Sequence, residues 1–361
     1  MRIWCLPPGM PIGLYQVKKF LGLVGLCGPA SGIRIAKSKA TIKRLPKLYS
    51  RAGLLLGLAL VSTAESPVLA QATPKLKVVA STSDLAALAA EVGGDRIDVQ
   101  SIVRGDQDPH FAEAKPSYML KLRHADLLIV VGLQLEARWL TRGFHRSPLI
   151  SESGNPRIQP GASGYFDASQ YAEILDLPTQ PVTPSIQPVG NPHYWLDPEN
   201  GRRIAHALAI KLSELRPDDA LYFNERFLAF STRLSDAEKV WDAEMQPYHG
   251  RKVVTYYRSW PNFLKHFQLA SVGEIEPRPG IPPSGAHTKE LINLMKHENV
   301  KVILVEPYFE LKTPHAIALA TGAEVVVLPS SVGGEKEVTD YFKLFDFDLA
   351  LLRRALSRSP K

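Results

Sequence analysis

From Leu76 onward, short apolar runs alternate with longer stretches whose apolar positions recur at intervals of three and four. Leu76–Ser81, Ile97–Val103 and Asp126–Val131 read as buried strands, and Leu85–Val92 and Pro116–His124 as the helices between them. Asp84 stands where a helix cap is expected, and Gly93-Gly94 stops the first helix. The alternation restarts downstream, with strands over Lys252–Tyr257, Val300–Val305 and Glu324–Leu328 and helices over Thr288–His297, Pro314–Ala320 and Asp340–Leu356. Strands separated by helices pair in parallel through crossover connections. The pattern therefore predicts an α/β protein of two Rossmann-like lobes.

Between the lobes, Phe223, Phe227, Phe230, Leu234, Ala237, Val240, Trp241 and Met245 fall at helical intervals, with no Gly or Pro between Pro217 and Pro247. This predicts one stiff helix of roughly 40 Å at 1.5 Å per residue, a spine shared by both lobes. Ser151–Gly190, rich in Pro, Ser and Gln, reads mainly as a long loop. The expected organisation is a presequence over 1–72, a first lobe over 75–215, a linking helix over 216–248 and a second lobe over 249–361.

Charge changes the picture only by its distribution. The formal net charge is +7, yet ten Lys and Arg and no acid lie before Glu65. Residues 66–361 carry 33 Lys+Arg against 35 Asp+Glu. A body without excess positive charge argues against nucleic acid as a partner, because phosphate neutralisation requires a clustered basic face. The basic stretch ending at Arg51, the short apolar run Gly53–Val61 and Ala70-Gln71-Ala72 have the order of a signal peptide and its cleavage site. Residues 1 to about 40 precede any ordinary signal peptide and suggest a start codon set too early. Export to the periplasm or another extracytoplasmic space is the expectation. Both cysteines, Cys5 and Cys27, fall in that leader, so any metal site of the mature chain must use nitrogen and oxygen.

Two segments carry the candidate chemistry. Gly105-Asp106-Gln107-Asp108-Pro109-His110-Phe111 follows the second strand, where ligand residues of open α/β sheets project. Asn191-Pro192-His193-Tyr194-Trp195-Leu196-Asp197-Pro198 precedes a helix that Asp197 can cap. Together these segments resemble the D-P-H and N-P-H-x-W-x-D-P elements of the periplasmic metal-receptor family of ABC importers for zinc and manganese. The resemblance runs from Leu76 to about Leu356 and includes Val253–Trp260 and Ile275–Ser284.

The resemblance implies two lobes joined by a long helix, with one divalent transition metal held as cargo in the cleft and delivered to an ABC importer permease by a monomeric receptor. It makes His110 and His193 first-lobe ligands. Imidazole nitrogen suits zinc, with manganese the next expectation. The family's third ligand falls at Tyr257 and its fourth aligns near Ser330, and neither is an ordinary ligand. Three arrangements stay open: Tyr257 ligates directly, Glu306 reaches in from the strand before it, or two His, water and a weaker oxygen suffice. Glu276 and His287 are further candidates. The competing functions are a metal-dependent hydrolase, for which H-E-x-x-H, G-x-S-x-G and a phosphate-binding loop are all missing, and an adhesion module stabilised by metal.

Overall fold

The structure is a computed structural model that describes residues 74–113, 115–140, 149–177, 190–277 and 280–358. The presequence, with its cysteines and the expected signal peptide, lies outside the described residues. No helix among them is long and apolar enough to cross a membrane.

The first lobe contains β1 (Leu76–Ala80), α1 (Ser83–Gly93), β2 (Ile97–Ser101), α2 (Pro116–Arg123), β3 (Leu127–Val130), α3 (Leu149–Glu152), β4 (Tyr165–Asp167) and α4 (Pro198–Leu215). After the long α5 (Ala220–Met245), the second lobe contains β5 (Lys252–Thr255), α6 (Pro261–His266), β6 (Ala270–Glu274), α7 (Gly285–His297), β7 (Val302–Val305), α8 (Lys312–Thr321), β8 (Glu324–Val327) and α9 (Tyr341–Arg358). The described strands form two parallel sheets ordered β2-β1-β3-β4 and β6-β5-β7-β8, so the second lobe repeats the strand order of the first. The inner strands β3 (LLIV) and β7 (VILV) are buried at every position, as strands covered by helices on both faces must be.

The sequence pattern is weakest at two edge strands, β4 and β6. β6 (ASVGE) pairs with β5 in a parallel register broken after Val253, yet its residues are half-buried or exposed, and no apolar run marks it. β4 is three residues long, within the stretch expected to be mainly loop. That stretch also holds single helical turns at Pro156–Ile158 and Ala168–Tyr171, each capped by an Asx side chain, Asn155 and Asp167.

α5 runs 26 residues, about 39 Å at 1.5 Å per residue. Its buried positions Phe223, Phe230, Leu234, Trp241 and Met245 make one apolar stripe. On the first lobe, Arg226 Nε donates to the Glu91 carbonyl of α1 at 2.8 Å. Further along, Trp241 Nε1 donates to Asp346 Oδ1 of α9 at 2.8 Å. One apolar cluster runs from Val78 of β1 and Ile129 of β3 through Trp195, Phe230 and Tyr341 to Val253 and Leu304, so the lobes share a core along this helix.

Asp84 does not cap α1 as the sequence suggested. Thr82 is the cap residue, and Asp84 sits in the first turn, fully buried, where its Oδ1 accepts from the Val332 N–H of the second lobe at 2.9 Å. Burial pushes its pKa up to about 7, against hydrogen bonds from Val332 and Ser331 that pull it down. Beside it, a Cβ on Gly105 would lie 2.1 Å from the Val332 carbonyl oxygen and 2.5 Å from the Gly334 nitrogen. The lobes meet there too closely for any side chain.

Candidate metal centre

Every candidate residue lies beyond the carboxyl end of a strand, where open parallel sheets build their sites. His110 follows β2, His193 follows β4, Tyr257 follows β5, Glu276 follows β6, Glu306 follows β7 and Ser330 follows β8.

The two Asx-Pro-His segments fold alike locally. Asp108 Oδ1 accepts from the backbone N–H of His110 at 2.8 Å and faces its Nδ1 at 3.1 Å. Asn191 Oδ1 accepts from the backbone N–H of His193 at 2.9 Å and faces its Nδ1 at 3.0 Å. A carboxylate and an amide oxygen accept, so Nδ1 is the donor in both rings; in His193, which burial keeps neutral, Nε2 is left as a lone pair. An Nδ1 donor of this kind leaves Nε2 as the nitrogen for a metal.

The surrounding residues fix both turns. Trp139 Nε1 donates to the Pro109 carbonyl at 2.9 Å. Tyr194 OH donates to the Val131 carbonyl at the end of β3 at 2.6 Å, and Trp195 Nε1 donates to the Ser330 carbonyl of the second lobe at 2.9 Å. Asp197 caps α4, accepting from the Glu199 N–H at 2.9 Å. Asn191, Tyr194, Trp195 and Asp197, all of one short segment, thus hold His193 in place.

The result is convergence across a long stretch of chain. The ring centroids of His110 and His193 are 5.1 Å apart, and the Tyr257 ring stands edge-on to both, at 5.6 Å and 6.0 Å. His193 is 1% exposed, while the His110 side chain keeps 18% exposure. Burial, and then the neighbouring His110, hold the His193 pKa well below the ordinary histidine value, so the ring is neutral. Burial first, then Asp108, Glu276 and Glu306, push the Tyr257 phenol well up, with Arg258 opposing them.

The other candidates occupy distinct positions. Glu306 is fully buried with neither carboxylate oxygen in hydrogen-bond geometry to any partner. Burial pushes its pKa up to about 8; Ser259 and Trp260 bear on it and pull the other way, but from outside good hydrogen-bond geometry. Glu276 is 7% exposed and raised by burial and by Asp108, while the Gly280 N–H, donated to its Oε1, and His110 lower it. Ser330 is buried, its hydroxyl 3.2 Å from Tyr308 OH. His287 turns away to the Glu274 carbonyl, 2.8 Å from its Nε2. Among the described residues, no group of three His, Cys, Asp or Glu side chains converges on one point. Asp176 and Arg258, which contact the Asn191 turn, were not singled out in the sequence, although Arg258 lies in the Val253–Trp260 stretch.

The family described as zinc-uptake complex component A, periplasmic (ZnuA) matches residues 78–355. The chain belongs to this family. Among curated members of similar sequence, the manganese ABC transporter substrate-binding lipoprotein PsaA of Streptococcus anginosus is 25% identical over 311 residues, covering 83% of this chain and 96% of that protein. The metal ABC transporter substrate-binding lipoprotein ScbA of Streptococcus cristatus is 26% identical over 313 residues, covering 84% and 96%. Of solved structures, a ZnuA deletion mutant with zinc bound superposes with a TM-score of 0.66 at 25% identity, over 80% of this chain and 100% of that one. A mutant of the laminin-binding adhesin Lmb of Streptococcus agalactiae gives 0.64 at 25% identity, over 78% and 99%. The two-lobed fold of the family is therefore that of this chain.

Proposed function

We propose that this protein is an extracytoplasmic receptor that captures a divalent transition metal, zinc first and manganese next, and passes it to the membrane permease of an ABC importer. The observation that carries the reading is the pair of imidazoles, 5.1 Å apart, each with its Nδ1 committed to an Asx oxygen. Two neighbouring imidazoles whose Nε2 atoms are not engaged by these Asx oxygens suit a borderline cation. The relatives, a manganese ABC transporter substrate-binding lipoprotein and a ZnuA structure with zinc bound, support the same class of cargo.

On this reading His110 and His193 are the nitrogen ligands, and the second lobe supplies oxygen from Tyr257 or Glu306. Burial raises the pKa of both groups and so favours their protonated forms, and a cation beside them favours the ionised forms. The ion is cargo, so the protein carries no reaction of its own, and one chain supplies every group around the site, as a monomer would. Zinc titration calorimetry tests the reading. Loss of one of two nitrogen ligands should lower zinc affinity by at least about a hundredfold in His110→Ala and in His193→Ala, with both variants still folded. Wild-type affinity in either variant would remove that residue from the site.

A further inference from the structure

Asn191 does more than orient one ring. Its Oδ1 serves His193, and its Nδ2 donates twice, to the Arg258 carbonyl at 2.9 Å and to Asp176 Oδ2 at 3.0 Å. The other Asp176 oxygen, Oδ1, receives the Arg258 guanidinium at 2.7 Å. Asp176 and Asn191 belong to the first lobe, and Arg258 is the residue after Tyr257 in the second. The circuit therefore links the His193 ring to the backbone that carries Tyr257.

The orientation of the amide follows from its partners. Both groups at Nδ2 are acceptors, and the His193 backbone N–H at Oδ1 is a donor, so the reverse orientation would break these three bonds. Asn191 is 5% exposed, and its own N–H donates to the Leu175 carbonyl at 2.8 Å. Asp176 holds a left-handed backbone, φ 57°, which Asp tolerates better than most residues. The matching position of the first segment is Asp108, whose carboxylate accepts from His110, a task that requires only an acceptor. A carboxylate at 191 would have no proton for the Arg258 carbonyl and would face the Asp176 carboxylate. The difference between Asp108 and Asn191 in otherwise parallel segments thus has a physical cause.

We propose that Asn191, with Asp176 and Arg258, is a positioning residue that locks the His193 ring and the Tyr257 segment in register across the lobes, so that an arriving metal meets both sides of its site already aligned. The inference rests on His193 being a ligand, as argued above.

Two substitutions in the full chain separate its two actions, read by zinc calorimetry, by nitrogen NMR of the His193 tautomer and by melting of the metal-free protein. Asn191→Asp keeps the acceptor for His193 and loses both donors. The His193 proton should stay on Nδ1, while zinc affinity falls about tenfold, the lower end of losses seen for partners behind metal ligands. Asn191→Leu loses acceptor and donors together, so the tautomer should become mixed and affinity should fall further. Adding Asp176→Asn to Asn191→Asp returns a donor between these two side chains and should recover part of the loss. If wild type binds zinc and Asn191→Asp binds it equally well, the cross-tie positions nothing and the proposal is overturned. If His193→Ala binds like wild type, the ligand assignment itself falls, and the proposal falls with it.

Discussion

At the scale of single residues, the site depends on which atoms have a proton to give. The Asx-Pro-His segments settle this for the imidazoles by local hydrogen bonds, and the resemblance of the same segments to the family's elements is what picked out both histidines from the sequence. The oxygen side differs, because its groups are a buried acid and a phenol whose pKa values are raised by burial and by neighbouring acids. Tyr257 stands edge-on to both imidazoles, with ring centroids 5.6 Å and 6.0 Å away. Tyr257→Phe should therefore weaken zinc binding about tenfold, equivalent to about 1.4 kcal/mol. Calorimetry at constant pH measures it, and unchanged affinity would move the oxygen role to Glu306.

At the scale of elements, α6, α4 and α5 meet at His266. Its Nδ1 lies 2.9 Å from Asp197 Oδ1 at the cap of α4, and its Nε2 lies 3.8 Å from Asp242 Oδ1 on α5. Glu238 of α5 also faces this joint, and Arg202 of α4 pairs with Glu238 and with Glu199. Burial alone would lower the His266 pKa, but the hydrogen bond and charge of Asp197, with Asp242 and Glu238, outweigh it and leave the pKa above the ordinary histidine value. An unfolded histidine titrates near 6.5, a value taken as about that of a free side chain. The stabilisation from His266 is thus whole below about pH 6.5 and is lost as pH rises through the higher folded value. In urea titrations, the stability difference between wild type and His266→Gln should be largest near pH 6 and shrink towards about pH 9. A difference that grows with pH would contradict the assignment.

The same scale explains what the sequence could and could not reveal. Inner strands such as β3 and β7 are apolar throughout, and α5 has a regular stripe, so both were legible. β4 is three residues long and β6 has half-buried or exposed residues throughout, which leaves no periodic signal. Asp84 looked like a cap because its position fits one, yet its partner Val332 lies 248 residues away. The cross-tie from Asn191 was hidden for the same reason, since Arg258 is 67 residues distant and only the fold brings it close.

At the scale of the whole molecule, the lobes share one apolar core along α5 and α9 and touch directly at Gly105, Asp84 and Trp195. Wide opening would expose that core, so loading and release should involve small movements of the segments around the cleft. On the proposed function, two imidazoles from distant parts of the chain share one ion. X-ray absorption at the zinc edge of the loaded protein tests this most directly. The account predicts two imidazole nitrogens at about 2.0–2.1 Å from zinc. A spectrum without imidazole scattering would contradict it.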